Sequence, residues 1–85
     1  MDYRISLTKS AKKALIALPS EQASRIVEAL ESLRSDPLSQ VKRLKGSHLF
    51  SLRSGDYRII LSIRKDQLLV FVLRIGHRSG VYRGL

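Results

Sequence analysis

The sequence predicts an α+β fold of order β-α-α-β-β-β, with a helical hairpin packed on one face of a small antiparallel sheet. Apolar residues recur at helical spacing between residues 9 and 34, and they alternate or run together between residues 49 and 75. Gly, Pro and Asp punctuate the chain between these segments. Because the helical and strand patterns are segregated, the helices are expected to cover one face of the sheet. The chain of 85 residues fits a single domain, residues 1–85.

The first strand and the first helix follow from the spacing of their apolar residues. Residues 2–7 alternate between apolar and polar and predict a strand, either at an edge of the sheet or beside its last strand. Residues 9–18 carry apolar side chains at helical spacing and predict a helix. Thr8 or Ser10 is placed to cap its N-terminus, since hydroxyl side chains accept hydrogen bonds from the first free backbone N–H groups.

The second helix is predicted to open at Ser20, directly after Pro19, and to follow one apolar stripe. Asp36-Pro37 is expected to end it, because the residue before a proline is pushed out of the helical region. Residues 38–47 show neither the helical spacing nor the alternation of a strand and are interpreted as a basic connection.

Three strands are predicted in close order over residues 49–53, 57–64 and 68–75. The first turn contains Gly55, where a positive φ is expected, and residues 65–67 form the second. Gly76 is predicted to end the last strand.

Side-chain alternation then divides these strands between two faces. In the second strand of the three, Tyr57, Ile59, Leu61 and Ile63 suit the core; in the third, Leu69, Phe71, Leu73 and Ile75 do. Val70 and Val72 are therefore expected to point outward. The face away from the helices would carry Arg53, Arg58 and Arg74, and a register error of one residue would invert this assignment.

Positive charge is concentrated in the second half of the chain. The net charge is +9, and residues 42–85 hold ten Lys and Arg against two Asp, a net +8. A polyanionic partner is the simplest reason for such a concentration, and arginine suits phosphate in particular. We therefore expect contacts to a nucleic acid, with RNA as the candidate, from basic residues of this half of the chain. These are Lys42, Arg43, Lys45, Arg53, Arg74 and Arg83.

Several classes of function find no support in the sequence. The absence of cysteine removes disulfides, thiol nucleophiles and thiolate metal sites. No metal-binding spacing and no cofactor motif is found, so neither a metal nor a cofactor is expected. No apolar run is long enough to span a membrane, and residues 1–10 lack the apolar core of a signal sequence. We therefore expect a cytoplasmic protein with no membrane partner.

Two side chains near the C-terminus could add chemistry to this charge. His77 follows the predicted last strand, and histidine is the side chain that ordinarily titrates near neutral pH. Tyr82 could stack on an unpaired base or hydrogen-bond a phosphate. From the residues alone, the prediction is a small basic domain that binds nucleic acid; catalysis is not established.

The sequence resembles the RelE/ParE toxin superfamily of bacterial and archaeal toxin–antitoxin systems over nearly its whole length. The residues that carry the resemblance are KRLKG at 42–46, RSGDYR at 53–58, the apolar segment 68–73 and IGHRSGVYR at 75–83. The RSGDYR segment is shared by both branches of the superfamily. The ending GHRxxVYR is more typical of the RelE branch.

The resemblance implies a ribosome-dependent mRNA endonuclease that cuts the message in the A site of the small subunit. It implies metal-free attack by the ribose 2′-hydroxyl and neutralisation by a cognate antitoxin protein. By resemblance, Arg58 contacts the scissile phosphate, Arg78 is the arginine after the last strand, and Tyr82 stacks on or orients the substrate. His77 occupies a position where relatives often have His or Lys, and we take it as a candidate acid or base.

The sequence departs from the best-known RelE enzymes at two positions. Those enzymes place two lysines on the strand before the RSGDYR-like segment, where this chain has Leu49 and Ser51. Cleavage could then be weaker, could depend on Arg53 or Lys45, or could be absent. Two alternatives stay open: a non-enzymatic ParE-like toxin that inhibits DNA gyrase, and an inactive basic RNA-binding module.

Overall fold

The computed structural model describes residues 2–77 and confirms the α+β architecture. Two helices pack on a five-stranded sheet. The elements are β1 (Arg4–Leu7), α1 (Lys9–Ala17), α2 (Ser20–Ser32), β2 (Lys42–Arg43), β3 (Phe50–Ser54), β4 (Tyr57–Arg64) and β5 (Leu69–His77), with 3-10 turns at Pro37–Ser39 and Lys65–Gln67.

The strand order is β1-β5-β4-β3-β2, and the sheet is mixed. Strands β2 to β5 form an antiparallel meander, whereas β1 pairs with β5 in parallel. The prediction of a purely antiparallel sheet is therefore wrong in this one pairing, while the place of β1 at an edge and beside the last strand is confirmed. The prediction also missed β2, because two exposed residues are too few to show a period.

Thr8 joins β1, α1 and β5. Its Oγ1 accepts a hydrogen bond from the Ala11 N–H at 3.1 Å, which makes it the N-cap of α1. The same hydroxyl donates to the Leu73 carbonyl at 2.9 Å, and the Thr8 N–H donates to the Val72 carbonyl at 3.0 Å. Of the two predicted caps, the structure uses Thr8.

Helix α2 begins at Ser20, as predicted, but differs from its prediction at the other end. Pro19 occupies the N-cap position, and no side chain caps the helix. The helix ends at Ser32 rather than near Asp36, since the chain turns at Leu33, which is fully buried in the core. Gln40 then closes the connection to β2: its Nε2 donates to the Ser32 carbonyl at 3.0 Å.

The core lies between the helical hairpin and one face of the sheet. Helix α1 lies against β1 and β5, and α2 lies against β3. The buried apolar side chains that form the cluster are Ala11, Ile26, Leu30, Leu33, Leu52, Ile59, Leu61, Val70, Val72 and Ile75. The opposite face of the sheet, here called the outer face, has no helix packed on it among residues 2–77.

A β-bulge at Leu73 changes which residues of β5 face the core. Ile60 is opposite Arg74 but Leu61 is opposite Val72, so Leu73 is the extra residue of β5. Before the bulge, Val70 and Val72 are fully buried in the core and Phe71 is only half-buried. The predicted faces of residues 69–73 are therefore inverted, whereas Arg74 outward and Ile75 inward are confirmed, because the bulge shifts the alternation by one residue.

The turns set the ends of the meander. Gly55 has a φ of +59°, as predicted for the β3–β4 turn. Leu68 follows the second turn with a φ of 49°, a left-handed conformation that is uncommon for a residue with a side chain. Gly76 does not end the last strand, since β5 pairs with β4 as far as His77.

We expect Thr8→Val to lower the free energy of unfolding by about 1–3 kcal/mol, because it removes both the cap of α1 and the bond to the bulge. Urea unfolding followed by circular dichroism measures the change. Thr8→Ser keeps the hydroxyl and should lose less than half as much. A Thr8→Val protein as stable as the parent would contradict the role given to this side chain.

Candidate nucleic-acid interface

Strand register gathers basic side chains at one end of the outer face. Partners in adjacent strands share a face, so the pairings define rows that cross the sheet. One row runs from β2 to β5 through Lys42, Ser51, Ile60 and Arg74. The next row contains Arg53, Arg58 and Gly76. Gly76 has no side chain, so β5 places none beside Arg58 in this row.

These rows border a groove of about 370 Å³, here called the basic groove. Its lining residues are Gln40, Lys42, Arg43, Leu44, Lys45, Ser51, Arg53 and Arg58. The structure thus brings together five of the predicted site residues at the β2–β3–β4 end of the sheet. A groove lined by cations on strands is suited to a phosphate backbone.

Arg58 is half-buried and is held near the β3–β4 turn. Its Nη1 donates to the carbonyls of Tyr57 and Gly55 at 3.3 and 3.5 Å. These bonds are long, and a guanidinium has five N–H donors, so most of its donors stay available to an anion. The turn therefore orients Arg58 and leaves most of its N–H donors available to an anion.

Arg53 and Arg58 are direct cross-strand partners, so two like charges lie side by side. Like charges at such positions are destabilising. Ion pairs form on α2 instead, between Arg25 and Glu21 and between Arg34 and Glu31. Within residues 2–77, no carboxylate forms an ion pair with the five cations of the basic groove. The groove is consequently a concentrated positive surface.

The end of β2 and the loop after it hold the remaining basic residues of the groove, Arg43 and Lys45. The Leu44 N–H donates to the Leu49 carbonyl at 2.9 Å, and Gly46 turns the chain with a φ of +72°. Arg43 Nε donates to the Ser47 carbonyl at 3.0 Å, which ties this guanidinium to the loop. Lys45 is exposed within the turn.

Arg74 lies on the outer face as predicted, one strand beyond the basic groove. It is half-buried, and its row neighbour Ile60 is fully buried although it is not part of the core cluster. Ile60 is therefore covered although it faces away from the helices. Long side chains on a strand surface can shield an apolar neighbour with their stems.

His77 does not lie on the face of Arg58. It is the cross-strand partner of Tyr57, and the two rings meet edge to face with centroids 5.8 Å apart. Tyr57 packs against the core cluster, so the imidazole lies on the helix side of the sheet. The predicted grouping of His77 with the outer-face arginines is wrong, because Gly76 takes the position beside Arg58.

The other end of the outer face is more apolar. A groove of about 580 Å³ is lined there by His48, Leu49, Ser62, Ile63, Arg64, Phe71 and Leu73. Side-chain alternation predicts Phe71 and Leu73 in the core, but the bulge turns Phe71 outward. Sequence periodicity contains no signal for this patch, since both faces of β5 are apolar up to the bulge.

Three predicted site residues, Arg78, Tyr82 and Arg83, lie outside the described residues. Among residues 2–77, no group of three or more His, Asp or Glu side chains gathers that could hold a metal ion. In the same part of the chain, no helix has the length and apolar content needed to cross a membrane.

Comparison with known proteins places the fold and the grooves in context. The family described as ParE toxin of type II toxin–antitoxin system, parDE, matches residues 5–82. Toxin RelG of Mycobacterium tuberculosis is 34% identical over 98% of this chain and 99% of that protein. The putative toxin RelE1 of Methanocaldococcus jannaschii is 27% identical over 98% of both chains.

Solved structures agree with the sequence relatives. The toxin–antitoxin complex RelBE2 of Mycobacterium tuberculosis contains a chain that superimposes with a TM-score of 0.81 at 32% identity, covering 92% of this chain and 100% of that chain. The archaeal RelE–RelB complex of Pyrococcus horikoshii gives a TM-score of 0.82 at 30% identity, covering 95% and 100%.

We expect Arg53→Thr to raise the free energy of unfolding at low salt by about 0.2–1 kcal/mol, because it removes the like charge opposite Arg58. The gain should shrink near 1 M salt, where the screening length falls to about 3 Å. Urea unfolding at both salt concentrations measures it. Arg64→Thr is the control, since Arg64 is opposite Leu69. Equal effects from both variants would refute the repulsion.

Proposed function

The chain belongs to the ParE toxin family of type II toxin–antitoxin systems, and we propose that it is a toxin that cleaves messenger RNA in the ribosomal A site. The observation that carries this proposal is the basic groove. It presents Lys42, Arg53 and Arg58 from three adjacent strands, with no carboxylate paired to them among residues 2–77. Cations on rigid strands suit the binding of a phosphate in a fixed position.

The proposed reaction uses the RNA as its own nucleophile. The ribose 2′-oxygen attacks the adjacent phosphorus, and the bond from phosphorus to the 5′-oxygen breaks. The products are a 2′,3′-cyclic phosphate and a free 5′-hydroxyl. One proton leaves the 2′-hydroxyl and one reaches the 5′-oxygen. Arginine stays protonated in proteins, so Arg58 serves as a charge donor to the crowded phosphate and not as a base.

The proton transfers are assigned to groups near the end of the chain. His77 and Tyr82 are the two candidates from the sequence. His77 lies on the face opposite Arg58, against Tyr57, so we assign both proton transfers to Tyr82. Its phenol would donate a proton to the 5′-oxygen and accept the one that leaves the 2′-hydroxyl. Arg78 is proposed to add a second guanidinium to the phosphate.

The proposed partner is a cognate antitoxin. Similar toxins have been solved as complexes with RelB antitoxin, as in the RelBE2 and Pyrococcus horikoshii structures. The outer face offers cations at one end and the apolar residues Leu49, Phe71 and Leu73 at the other. A segment with acidic and apolar side chains would complement both ends and would cover the basic groove.

A gyrase-inhibiting toxin is the second candidate. The matching family is named for ParE, and the chain has no lysine at positions 49 and 51. Such a toxin would use the same basic surface for binding and would need no cleavage chemistry. Mapping message ends on ribosomes and measuring DNA breaks in induced cells separates the two candidates.

We expect Arg58→Ala to lower the rate of mRNA cleavage on programmed ribosomes by about 10²-fold or more, since it removes one charge donor to the reacting phosphate. Primer extension on the message measures the cut ends. Arg64→Ala is the matched control, because it removes an arginine from the far end of the same strand.

The midpoint of urea unfolding of both variants should be at least as high as that of the parent. His77→Gln should slow cleavage by less than about threefold, well below the 10²–10⁴-fold of a lost acid or base. An Arg58→Ala protein that cuts as fast as Arg64→Ala would disprove the site. Cleavage abolished by His77→Gln would instead return the proton transfer to the imidazole.

We expect antitoxin and mRNA to exclude each other, because both would occupy the outer face. Toxin premixed with an equimolar amount of antitoxin should neither bind programmed ribosomes in sedimentation nor produce cut message. Phe71→Thr should weaken antitoxin binding by tenfold or more, as expected for an aromatic contact, while leaving the basic groove intact. A stable complex of ribosome, toxin and antitoxin would overturn this arrangement.

A further inference from the structure

We propose that Lys42 of β2 is a second phosphate-contacting cation, which supplies from the neighbouring strand the charge that Ser51 does not carry. This inference rests on the proposed RNA site and names a further residue in it. It begins from the pairing of β2 and β3, where Lys42 and Ser51 are direct partners. Partners across an antiparallel pair have their side chains on the same face, with Cβ atoms about 4.5–5.5 Å apart.

The register also relates Lys42 to Arg58. Ser51 is opposite Ile60, and Arg58 precedes Ile60 by two positions on the same face of β4. Strand spacing and rise place the Cα atoms of Lys42 and Arg58 about 12 Å apart. Two long side chains can converge on one phosphate from that separation, and both residues line the basic groove.

Lys42 differs from the other basic residues of this region in how it is held. The guanidinium of Arg43 is tied to the Ser47 carbonyl at 3.0 Å, and by alternation Arg43 shares the face of Phe50. Lys45 lies in the turn beyond the strand. A group on a helix or strand is positioned more precisely than a group on a loop. Lys42 is on a strand, is exposed and forms no ion pair with a carboxylate of residues 2–77.

This placement makes Lys42 and Lys45 suitable for a matched comparison. Substituting either one by alanine removes one positive charge from the basic groove, but only Lys42 is opposite Ser51. We expect Lys42→Ala to lower the maximal cleavage rate at saturating toxin by tenfold or more. Lys45→Ala should mainly raise the toxin concentration needed for half-maximal rate, with less than a threefold effect on the maximal rate.

Moving the charge across the strand pair tests the position directly. The double variant Lys42→Ala with Ser51→Lys restores a cation on the same face, one strand away. It should recover at least half of the lost rate on a logarithmic scale. A Lys42→Ala protein that behaves like Lys45→Ala, or a double variant with no recovery, would overturn the proposal. Circular dichroism and urea unfolding confirm that each variant is folded.

A double-mutant cycle measured by RNA binding tests the same contact without cleavage. The probe is a short single-stranded RNA with a 2′-O-methyl group on each ribose, which blocks attack by the 2′-oxygen and so prevents cleavage. Its affinity is measured by fluorescence anisotropy. If Lys42 and Arg58 contact one phosphate, Lys42→Ala should cost less than half as much in the Arg58→Ala background as in the parent. Lys45→Ala should cost the same in both backgrounds.

The outcomes separate this inference from the proposed function. A parent that binds the probe but never cuts message loses the nuclease assignment, while the binding cycle still decides the role of Lys42. Additive effects of Lys42→Ala and Arg58→Ala reject Lys42 even where the parent cuts efficiently. A parent that binds no RNA removes both.

Discussion

The extra residue at Leu73 decides which side chains of β5 meet the helices and which meet solvent. Val70 and Val72 enter the core on one side of it, and Ile75 enters on the other. A strand without the bulge would place Arg74 in the core whenever Val72 was buried there, and an unpaired buried charge is not tolerated. Thr8 stabilises the local geometry by donating to the Leu73 carbonyl while it caps α1. The beginning of the helical hairpin and the face of Arg74 are thus determined at one junction.

Concentrated positive charge is a cost to the isolated domain. Arg53 and Arg58 are opposite each other, and the ion pairs of α2 do nothing to neutralise them. A surface that repels itself is stabilised by whatever anion binds it, so the free energy of folding and that of binding are linked. An acidic antitoxin segment and a phosphate backbone both meet this condition. The same repulsion that destabilises the free protein therefore favours both of the states proposed for the cell, the neutralised complex and the toxin bound to message.

Sequence periodicity predicts most of this fold but only part of the site. Strand β4 has apolar residues at 57, 59, 61 and 63 and polar residues at three of the four positions between or beside them, so its bounds and the outward direction of Arg58 are confirmed. Strand β5 is apolar on both faces, and period two contains no information on a residue inserted at Leu73. For the same reason the sequence missed the outward position of Phe71. The position of His77 was missed for another reason. Gly76 was predicted to end β5, but the strand continues through Gly76 and His77, and this continuation places the imidazole on the face of Tyr57. Strand register thus places His77 on one face of the sheet and the outer-face arginines of the predicted site on the other.

In a sheet, a charged side chain acts together with its cross-strand partners on the same face, and not only with the neighbours on its own strand. Comparing this chain with RelE-like patterns along the sequence finds Ser51 where a cation is expected and suggests a weakened site. The pairing of strands adds a fact that the sequence does not contain: Ser51 has two cross-strand partners on its face, Ile60 on β4 and the cation Lys42 on β2. A lysine at either partner position can reach the same phosphate, since the two Cβ atoms are separated by about 5 Å and the side chain is long and flexible. Alignment along one strand cannot detect such an exchange, whereas pairing between strands makes it visible. The positive charge of the groove therefore depends on all the side chains that β2, β3 and β4 place in it. A cation missing from one strand shows a weakened site only if its cross-strand neighbours do not supply the charge.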